Sequence, residues 1–435
     1  MDPSGLEEPA TARPMKERHS SLRNVAAVGL GNALEFYDFI TFSFFAIQIG
    51  HCFFPESRTS HGLLYALATF GVGFLTRPLG GVVIGMYGDR VGRKPAMVLS
   101  FALMGGSILG LVLTPSYAQI GVAAPILLVT FRLLQGFALG GEVGPSTAFL
   151  VEAAPPHRRG FYVSLQSMTQ DLAVLAAGVI GFVLTALLAP AALDAWGWRV
   201  ALLIGTAVVP VGLYLRHRLP ETLLDAERLA STPAERHVPV RVIVLAILLL
   251  MAAIIYIYGL DYITTYAQDS LRMSTALAFG ATVVIGLCAV LADPLSGLLS
   301  DRIGRRPVVL GAVVILVLLL VPAYMAMTEL RNVSVVYAVI AILALLQAFL
   351  TAPALVAITE SLPKAVRSGA LATIYAVATS LFGGSTQFAI KALTDLTGSP
   401  LAPAWYMTLA VLIGGIAMTL MHETAPIKKG LAPDH

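Results

Sequence analysis

Long apolar runs separated by short polar segments dominate the chain from residue 24 onward. Each run is close to the roughly 20 residues that a helix needs to cross the hydrocarbon core of a bilayer. The runs lie at 24–50, 63–88, 95–115, 120–152, 161–189, 198–216, 242–267, 276–299, 307–327, 334–359, 369–392 and 402–421. The pattern therefore predicts an all-α integral membrane protein with twelve transmembrane helices.

The composition agrees with a membrane location, and the polar segments divide the chain into two halves. Hydrophobic residues make up 57% of the chain and charged residues 12%, and the mean hydropathy is +0.81, which is unlike a soluble domain. The polar segment 217–241 is too short for a separate soluble domain. We predict a tail at 1–23, six-helix bundles at 24–216 and 242–422, a linker at 217–241 and a second tail at 423–435.

The positions of lysine and arginine predict the orientation in the membrane. If the N-terminus is cytoplasmic, 21 of the 28 Lys and Arg residues fall in the two tails and the five inner loops. Because positive residues accumulate on the cytoplasmic side, both termini are predicted to be cytoplasmic. Residues 1–22 contain no apolar stretch with a cleavage site, so we expect the first span to direct insertion. Cys52 and Cys288 lie in an outer loop and a span, which excludes a disulfide framework.

Two loop motifs occur twice, about half a chain apart. Residues 85–94 (GMYGDRVGRK) recur at 297–306 (GLLSDRIGRR), and residues 152–160 (EAAPPHRRG) are echoed at 360–368 (ESLPKAVRS). A weaker third echo relates 220–222 to 422–424. Motifs repeated in the same order indicate two copies of one fold unit. In membrane proteins, such halves usually flank a substrate site and rock about it.

The Gly-x-x-x-Asp-Arg-x-Gly-Arg-Lys/Arg pattern of the first motif resembles the signature of the major facilitator superfamily. Four further segments resemble its metabolite:proton symporter branch: GNALEFYDF at 31–39, FLTRPLGG at 74–81, RLLQGF at 132–137 leading to GGE at 140–142, and WGWR at 196–199. The resemblance covers essentially the whole chain and implies the twelve-helix major facilitator fold. Members of that branch carry citrate, tricarballylate, 2-oxoglutarate, shikimate, proline or betaine together with protons.

The fifth span is closer to one group within this branch. Residues 164–170 (SLQSMTQ) are similar to the citrate and tricarballylate carriers rather than the betaine carriers. The seventh span resembles a Tyr-x-Pro-Thr-Tyr stretch of those carriers, with Thr264 in place of the proline. Asp261 and Lys391 are charges that the citrate group does not lead us to expect.

Charged residues inside spans are the first candidates for proton coupling, because burying a charge in the bilayer costs at least a few kcal/mol. Glu35 and Asp38 share one face of the first span, and Arg132 and Gln135 share one face of the fourth. Asp38 with Arg132 resembles the proton-coupling pair of the sugar-porter branch. An adjacent cation favours the charged carboxylate, and separation favours the protonated form. We expect Asp38 to carry the proton and Arg132 to switch it; the alternative is a permanent structural salt bridge.

Each of three other charged residues has two possible roles. Arg77, before Pro78, holds a substrate carboxylate or pairs with Glu35. Glu142 is a second proton site or a packed acid beside Gly140 and Gly141. Lys391 faces the cavity or extends outward to the membrane surface.

Neutral residues complete the predicted substrate site, and a separate group of charged residues forms the predicted cytoplasmic gate. In addition, Asp293, which precedes Pro294, is expected near the inner gate. The predicted substrate-binding residues are Asn32, Tyr37, Arg77, Arg132, Gln135, Gln166, Gln170, Tyr258, Tyr262 and Lys391. The predicted cytoplasmic gate consists of Asp89, Arg90, Arg93, Glu152, Arg159, Asp301, Arg302, Arg305, Glu360 and Arg367. The alternative for these loop charges is that they only set the orientation.

The sequence lacks a phosphate-binding Gly-x-x-x-x-Gly-Lys-Ser/Thr loop, a metal-ligand cluster and any set of catalytic residues. We therefore predict a transporter, not an enzyme, without cofactor, metal or nucleic-acid partner. The predicted function is proton symport of a small organic acid, such as a di- or tricarboxylate like citrate, by a monomer in a bacterial inner membrane. Another metabolite of the same branch, or a transporter-like receptor that senses its ligand without moving it, is the alternative.

Overall fold

The computed structural model describes residues 33, 36–54, 60–91, 93–140, 147–148, 150–152, 154–206, 210 and 237–429. For residues 60–61, 85, 88–91, 93–98, 365 and 429 it describes the backbone only, not the side chains. Within these residues every regular element is a helix, and no strand is present. The all-α prediction is therefore confirmed.

Besides short helices at Tyr117–Ile120 and Pro190–Ala192, six helices of the described first half lie in the predicted spans. They are α1 (36–44 and Ala46–Phe53), α2 (Ser60–Leu75 and Arg77–Val91), α3 (Arg93–Leu113), α4 (Ala123–Leu139, with further helical residues at 147–148 and 150–152), α5 (Arg159–Leu187) and α6 (Trp198–Thr206).

Six more come from the second half. They are α7 (Val240–Asp261 and Ile263–Asp269), α8 (Thr275–Ile303), α9 (Arg305–Leu330), α10 (Val333–Ser361), α11 (Arg367–Ala378, a π-turn at Thr379–Gly383, and Gly384–Thr397) and α12 (Ala402–Leu420). Each predicted span thus contains a helix.

Length and apolar composition suffice for a membrane crossing in seven of these helices among the described residues, namely α2, α5, α7, α8, α9, α10 and α12. Helices α3 and α4 contain shorter apolar helices, Leu99–Leu113 and Ala123–Leu139. The remaining three are interrupted, as α11 is by its π-turn, or are short within the described residues.

Helix α8 shows how the sequence separates a lipid face from a protein face. Leu287, Leu291 and Leu295 recur every four residues and remain 49%, 61% and 59% exposed. Asp293 and Ser296, on the opposite side, are fully buried. Positions four apart share a helix face, so a bilayer covers the leucine stripe while the polar face meets other helices.

The two bundles meet closely along α5 and α8, which run antiparallel. A side chain at Gly297 would lie 2.6 Å from the Gly160 carbonyl oxygen, and one at Gly286 would lie 2.6 Å from the Leu175 Cα. Small residues let the helix backbones approach to this distance. These glycines therefore set the spacing between the two halves.

A second contact between the bundles joins α2 to α11. Pro78 cannot donate a backbone hydrogen bond, which frees the carbonyl four residues earlier. That carbonyl, of Phe74, accepts a 2.7 Å bond from the Ser380 hydroxyl in the π-turn of α11. The backbones of Gly71 and Gly384 are in contact nearby. The bend in α2 thus supplies an acceptor to the opposite bundle.

Candidate functional site

Asp38, Gln135 and Arg132 form a buried polar chain between α1 and α4. Their exposed fractions are 1%, 2% and 1%. The Gln135 amide nitrogen donates to the Asp38 carboxylate, and its carbonyl oxygen accepts a 2.5 Å bond from Arg132 Nη1. The sequence predicted that Asp38 and Arg132 would pair, and the structure places Gln135 between them. We call these three residues the relay.

Aromatic rings surround the guanidinium of the relay. Arg132 Cζ lies 4.2 Å from the ring centroid of Phe42 and 4.7 Å from that of Phe39. Arg77 Cζ lies 4.5 Å from the centroid of the same Phe39 ring and 4.2 Å from that of Phe74. Such contacts stabilise a cation that water does not reach.

Arg77 and Arg132 retain unused hydrogen-bonding capacity. Among the described residues no acceptor reaches the Nε of either side chain. Arg77 instead lies beside the hydroxyl of Tyr258, which belongs to α7 of the other bundle. Both guanidinium groups are 7% exposed or less. They are therefore cations held ready for an additional acceptor.

A cavity of about 60 Å³ lies between the bundles, next to these residues. Tyr258 is part of its wall, together with Gln170 from α5. The charged residues in the wall are Asp171 and Asp261, and no lysine or arginine is among its lining residues. The wall of the cavity is thus largely apolar, its charged residues are both acids, and Tyr258 connects it to Arg77.

Three acids from three helices meet at this interface. Asp171 of α5, Asp261 of α7 and Asp293 of α8 are 6%, 4% and 0% exposed. Asp171 accepts a 3.2 Å bond from the Gln347 amide of α10 and approaches the Asp293 carboxyl within hydrogen-bond reach. We call Asp171, Asp261, Asp293 and Gln347 the acid cluster.

The sequence analysis did not identify Asp171, although a charge in mid-span is the same indication that identified Asp38. Asp261 was noted only as a departure from the citrate group. Asp293 was expected near the inner gate, but it faces Asp171, eight residues or about 12 Å of helix rise before Asp301. The place of Asp293 near the inner gate stays a prediction, and the structure brings this residue to Asp171.

Two predicted substrate residues form hydrogen bonds within the first bundle. The Tyr37 hydroxyl donates to the Ala201 carbonyl at 2.8 Å. The Gln166 carbonyl accepts a 2.7 Å bond from the Thr147 hydroxyl. Neither Tyr37 nor Gln166 is among the residues that line the cavity between the bundles.

Lys391 lies between two acids instead of extending to the surface. Its ammonium group is 2.9 Å from Asp269 and 2.7 Å from Asp395, and the residue is 3% exposed. Tyr262, 2% exposed, is buried close to the same two acids. Outward extension of Lys391 is therefore wrong, and both residues lie outside the lining of the cavity.

The second copy of the loop motif connects the two bundles. Both oxygens of Asp301, at the end of α8, accept 2.9 Å bonds from the backbone N–H groups of Gly160 and Phe161 at the start of α5. Arg305 Nη1 lies 2.6 Å from the same carboxylate. An acid at a helix N-terminus satisfies free N–H groups and interacts favourably with the helix dipole.

Further ion pairs lie at this end of the molecule, which we call the signature end. Arg305 Nε is 3.4 Å from Glu360, and Arg159 is 3.9 Å from the same acid. Arg367 Nη1 is 3.4 Å from Glu152, across the two bundles. These pairs join the repeats of the second motif to each other.

Glu423 is a member of this network that the sequence analysis did not assign to the gate. Its carboxylate accepts 3.0 Å bonds from the backbone N–H groups of Arg305 and Arg306, where α9 begins after Gly304 at φ 110°. Partial burial raises the pKa of Glu423, but four backbone hydrogen bonds outweigh it, so the pKa lies below its usual value. The echo at 422–424 was the available indication.

Several predicted residues cannot be placed. Glu35, Asn32 and Glu142 lie outside the described residues, as do the side chains of Asp89, Arg90 and Arg93. Arg302 is described and exposed. Among the described residues, no group of three or more His, Cys, Asp or Glu is arranged to hold a metal ion.

Comparison with known proteins places this arrangement in a family. The model of the sugar (and other) transporter family matches residues 24–232 and 224–428. The citrate-proton symporter of Klebsiella pneumoniae is 33% identical over 93% of this chain and 92% of its own length. The proline/betaine transporter of Escherichia coli K12 is also 33% identical, over 93% of this chain and 84% of its own.

The fold is shared with a solved transporter. The crystal structure of a D-xylose-proton symporter matches with a TM-score of 0.71 at 18% identity, covering 94% of this chain and 99% of that one. With this fold and these relatives, the protein is a transporter of the major facilitator superfamily, not an enzyme. The chain belongs to the sugar (and other) transporter family.

Proposed function

We propose that the protein is a proton-coupled symporter of a small organic acid, with a di- or tricarboxylate such as citrate as its substrate. The supporting observation is the relay, in which one amide joins a buried carboxylate to a buried guanidinium close to the cavity between the bundles. The likeness to a citrate-proton symporter over most of both chains agrees with this proposal.

The relay provides a way to couple a proton to an anion. Ionised Asp38 accepts a bond from the Gln135 amide, whose carbonyl in turn holds Arg132. Protonation of Asp38 removes the negative charge at one end of this chain and weakens its hold on the amide. Arg132 then has less negative charge to interact with inside the protein and attracts an anionic substrate more strongly.

Arg77 and Tyr258 form the proposed anion-binding surface. A guanidinium binds a carboxylate through two parallel hydrogen bonds. The Nε of Arg77 has no acceptor within the part of the chain that the structure describes. The Tyr258 hydroxyl lies beside Arg77 while the same residue lines the cavity. A carboxylate entering from the cavity would thus meet Tyr258 first and Arg77 behind it. Gln170 supplies a neutral donor on the opposite wall.

The network at the signature end serves as the gate. Opening this end requires Asp301 to leave the Gly160 and Phe161 amides and Arg367 to leave Glu152. We propose that this end is cytoplasmic, as are both termini, in a bacterial inner membrane. The bundles at 24–216 and 242–422 would rock about the cavity as a monomer, linked by 217–241.

A zwitterion such as proline or betaine is the second candidate substrate. The observation in its favour is the acidic wall of the cavity, because Asp171 and Asp261 suit a cationic group. The cation would lie against these acids and the carboxylate against Arg77. The likeness to a proline/betaine transporter agrees with this alternative.

The test is uptake into liposomes with an imposed inward proton gradient. Labelled citrate is measured in competition with unlabelled dicarboxylates, aromatic acids, proline and betaine. We expect gradient-dependent uptake that falls to the level of empty liposomes in Asp38→Asn. Asp194→Asn is the matched control, because this acid is partly exposed beside His51 and far from the relay.

Each outcome separates the candidates. Competition by di- and tricarboxylates alone supports the organic acid, whereas competition by betaine or proline alone supports the zwitterion. Uptake that ignores the proton gradient contradicts the role of the relay. Ligand binding without uptake of any compound would identify a receptor instead of a carrier.

A further inference from the structure

The acid cluster lies at the centre of the contact between α5 and α8. On one side of it Gly160 meets Gly297, and on the other Leu175 meets Gly286. Asp171 and Asp293 therefore face each other at a position where the two bundles are already in close contact.

The described surroundings of these acids contain no cation. Asp261 of α7 and Gln347 of α10 interact with Asp171. The other polar residues that share the cavity wall with Asp171 are neutral, namely Ser167, Gln170, Tyr258, Thr351 and Tyr375. No donor in the described part of the chain reaches either oxygen of Asp293 or the Oδ2 of Asp261. Gln347 donates a single bond, to Asp171.

A buried carboxylate needs a counter-charge or a hydrogen-bond donor, and two facing carboxylates repel each other unless one is neutral. A proton satisfies both requirements, because the neutral acid donates its O–H to the remaining carboxylate. Asp293 is fully buried, and no donor among the described residues reaches it, so it is the side chain that requires this bond.

We propose that Asp171 and Asp293 form a second proton-binding site, which holds one proton between the two bundles. It is separate from the relay, since Asp38 bonds to Gln135 in the first bundle. The proton would reach the pair from the cavity, which Asp171 lines.

This proton also has a conformational consequence. When it is bound, the O–H of one acid bridges α5 to α8 and stabilises the contact between the bundles. When it leaves, two like charges face each other, and the bundles separate at this point. Proton binding at the pair is thus tied to the approach of the two halves. This role in transport rests on the proposed function, whereas the proton binding itself does not.

The test is infrared difference spectroscopy of the full-length protein in lipid, which detects the carbonyl band of protonated carboxylic acids and its shift in D₂O. We expect a band that titrates with pH and is lost in both Asp171→Asn and Asp293→Asn. The asparagine amide donates to the remaining acid as the O–H did, so these variants should fold. Asp293→Glu, which keeps the acid, should restore the band. Asp261→Asn is the matched control and should leave the band in place.

Asp38→Asn separates this site from the relay. Persistence of the band in Asp38→Asn, with its loss in Asp171→Asn, supports the second site even if the liposomes take up no substrate. A band that survives both Asp171→Asn and Asp293→Asn overturns the proposal. Stabilisation of the wild type by sodium, with no titrating band, would also overturn it, because the pair would then bind a metal ion.

Discussion

Two buried acids in this protein, Asp38 and Asp171, have similar exposure but opposite surroundings. Asp38, 1% exposed, is linked through Gln135 to a guanidinium that aromatic rings surround. Asp171, 6% exposed, faces Asp293 and receives a single bond from Gln347. The difference shows that burial alone does not define the role of an acid. The counter-charge within reach decides whether it is held ionised or requires a proton.

The magnitudes support this distinction. Two unit charges about 4 Å apart interact by about 4 kcal/mol at an effective dielectric constant of about 20. For the relay this interaction favours the ionised acid, although Gln135 lengthens the separation. For Asp171 with Asp293 it disfavours two ionised acids. The same folded chain can therefore keep one acid charged and another neutral at the same pH.

The largest expected effect comes from making the relay resemble the acid cluster. Arg132→Leu leaves Asp38 without its cation, and removal of one partner of a buried pair costs about 3–5 kcal/mol. We expect a large fall in unfolding temperature and loss of gradient-driven uptake. Thermal unfolding in detergent measures the first effect.

Arg199→Leu is the control for loss of a guanidinium. Arg199 donates to the backbone carbonyls of Val112 and Thr114, at the end of the first bundle that lies away from the signature end. Unchanged stability and uptake in Arg132→Leu would show that Asp38 does not depend on this cation.

The reverse change gives the acid cluster a cation. Gln347→Lys places an ammonium group next to Asp171, since the Gln347 amide already lies 3.2 Å from it. We expect a change in stability smaller than that of Arg132→Leu, because Coulomb attraction offsets the cost of burying the new charge. The carbonyl band of the pair should titrate at lower pH than in the wild type, since the ammonium group favours the state in which both acids are ionised. Gln347→Met, similar in size but uncharged, should not lower the pH at which the band titrates; the same downward shift there would contradict the electrostatic explanation.

The smallest effect is expected at Glu423. This acid lies outside the membrane-spanning helices, and its carboxylate is bound by backbone N–H groups instead of by a side chain. The pKa of Glu423 lies below the usual value in the folded protein. The ionised carboxylate therefore stabilises the fold at pH values above the pKa that Glu423 has in the unfolded chain. This contribution is lost as the pH falls through the pKa of the folded state. Glu423→Gln should cost roughly 0.5–1 kcal/mol at neutral pH, as other helix caps do.

The measurement for Glu423 is the unfolding temperature of wild type and Glu423→Gln as a function of pH. The two curves should converge in acid. Glu329→Gln, which alters an acid at the opposite end of α9, is the control. A difference between wild type and Glu423→Gln that is independent of pH would rule out the carboxylate charge as its source.

Much of the fold followed from local pattern. The length of each apolar run requires a membrane helix, and the repeated loop motifs require two related bundles. Asp38, Arg132 and Gln135 were recognisable because polar side chains inside spans are costly. Asp301 and Glu360 were recognisable from the repeat, although their partners were not: Asp301 caps α5 of the other bundle through backbone groups that carry no residue-specific pattern.

The sequence by itself determined the helical class, the number of spans, the two-fold repeat and the set of charges that the membrane interior contains. Only the tertiary structure decided which of those charges meet. Asp171 and Asp293 lie on helices of different bundles, and Gln135 lies between Asp38 and Arg132 because of how α1 packs on α4. Hydropathy acts along one helix at a time, whereas the partner of a buried charge depends on the relative rotation and depth of two helices. Packing across the whole molecule sets those quantities.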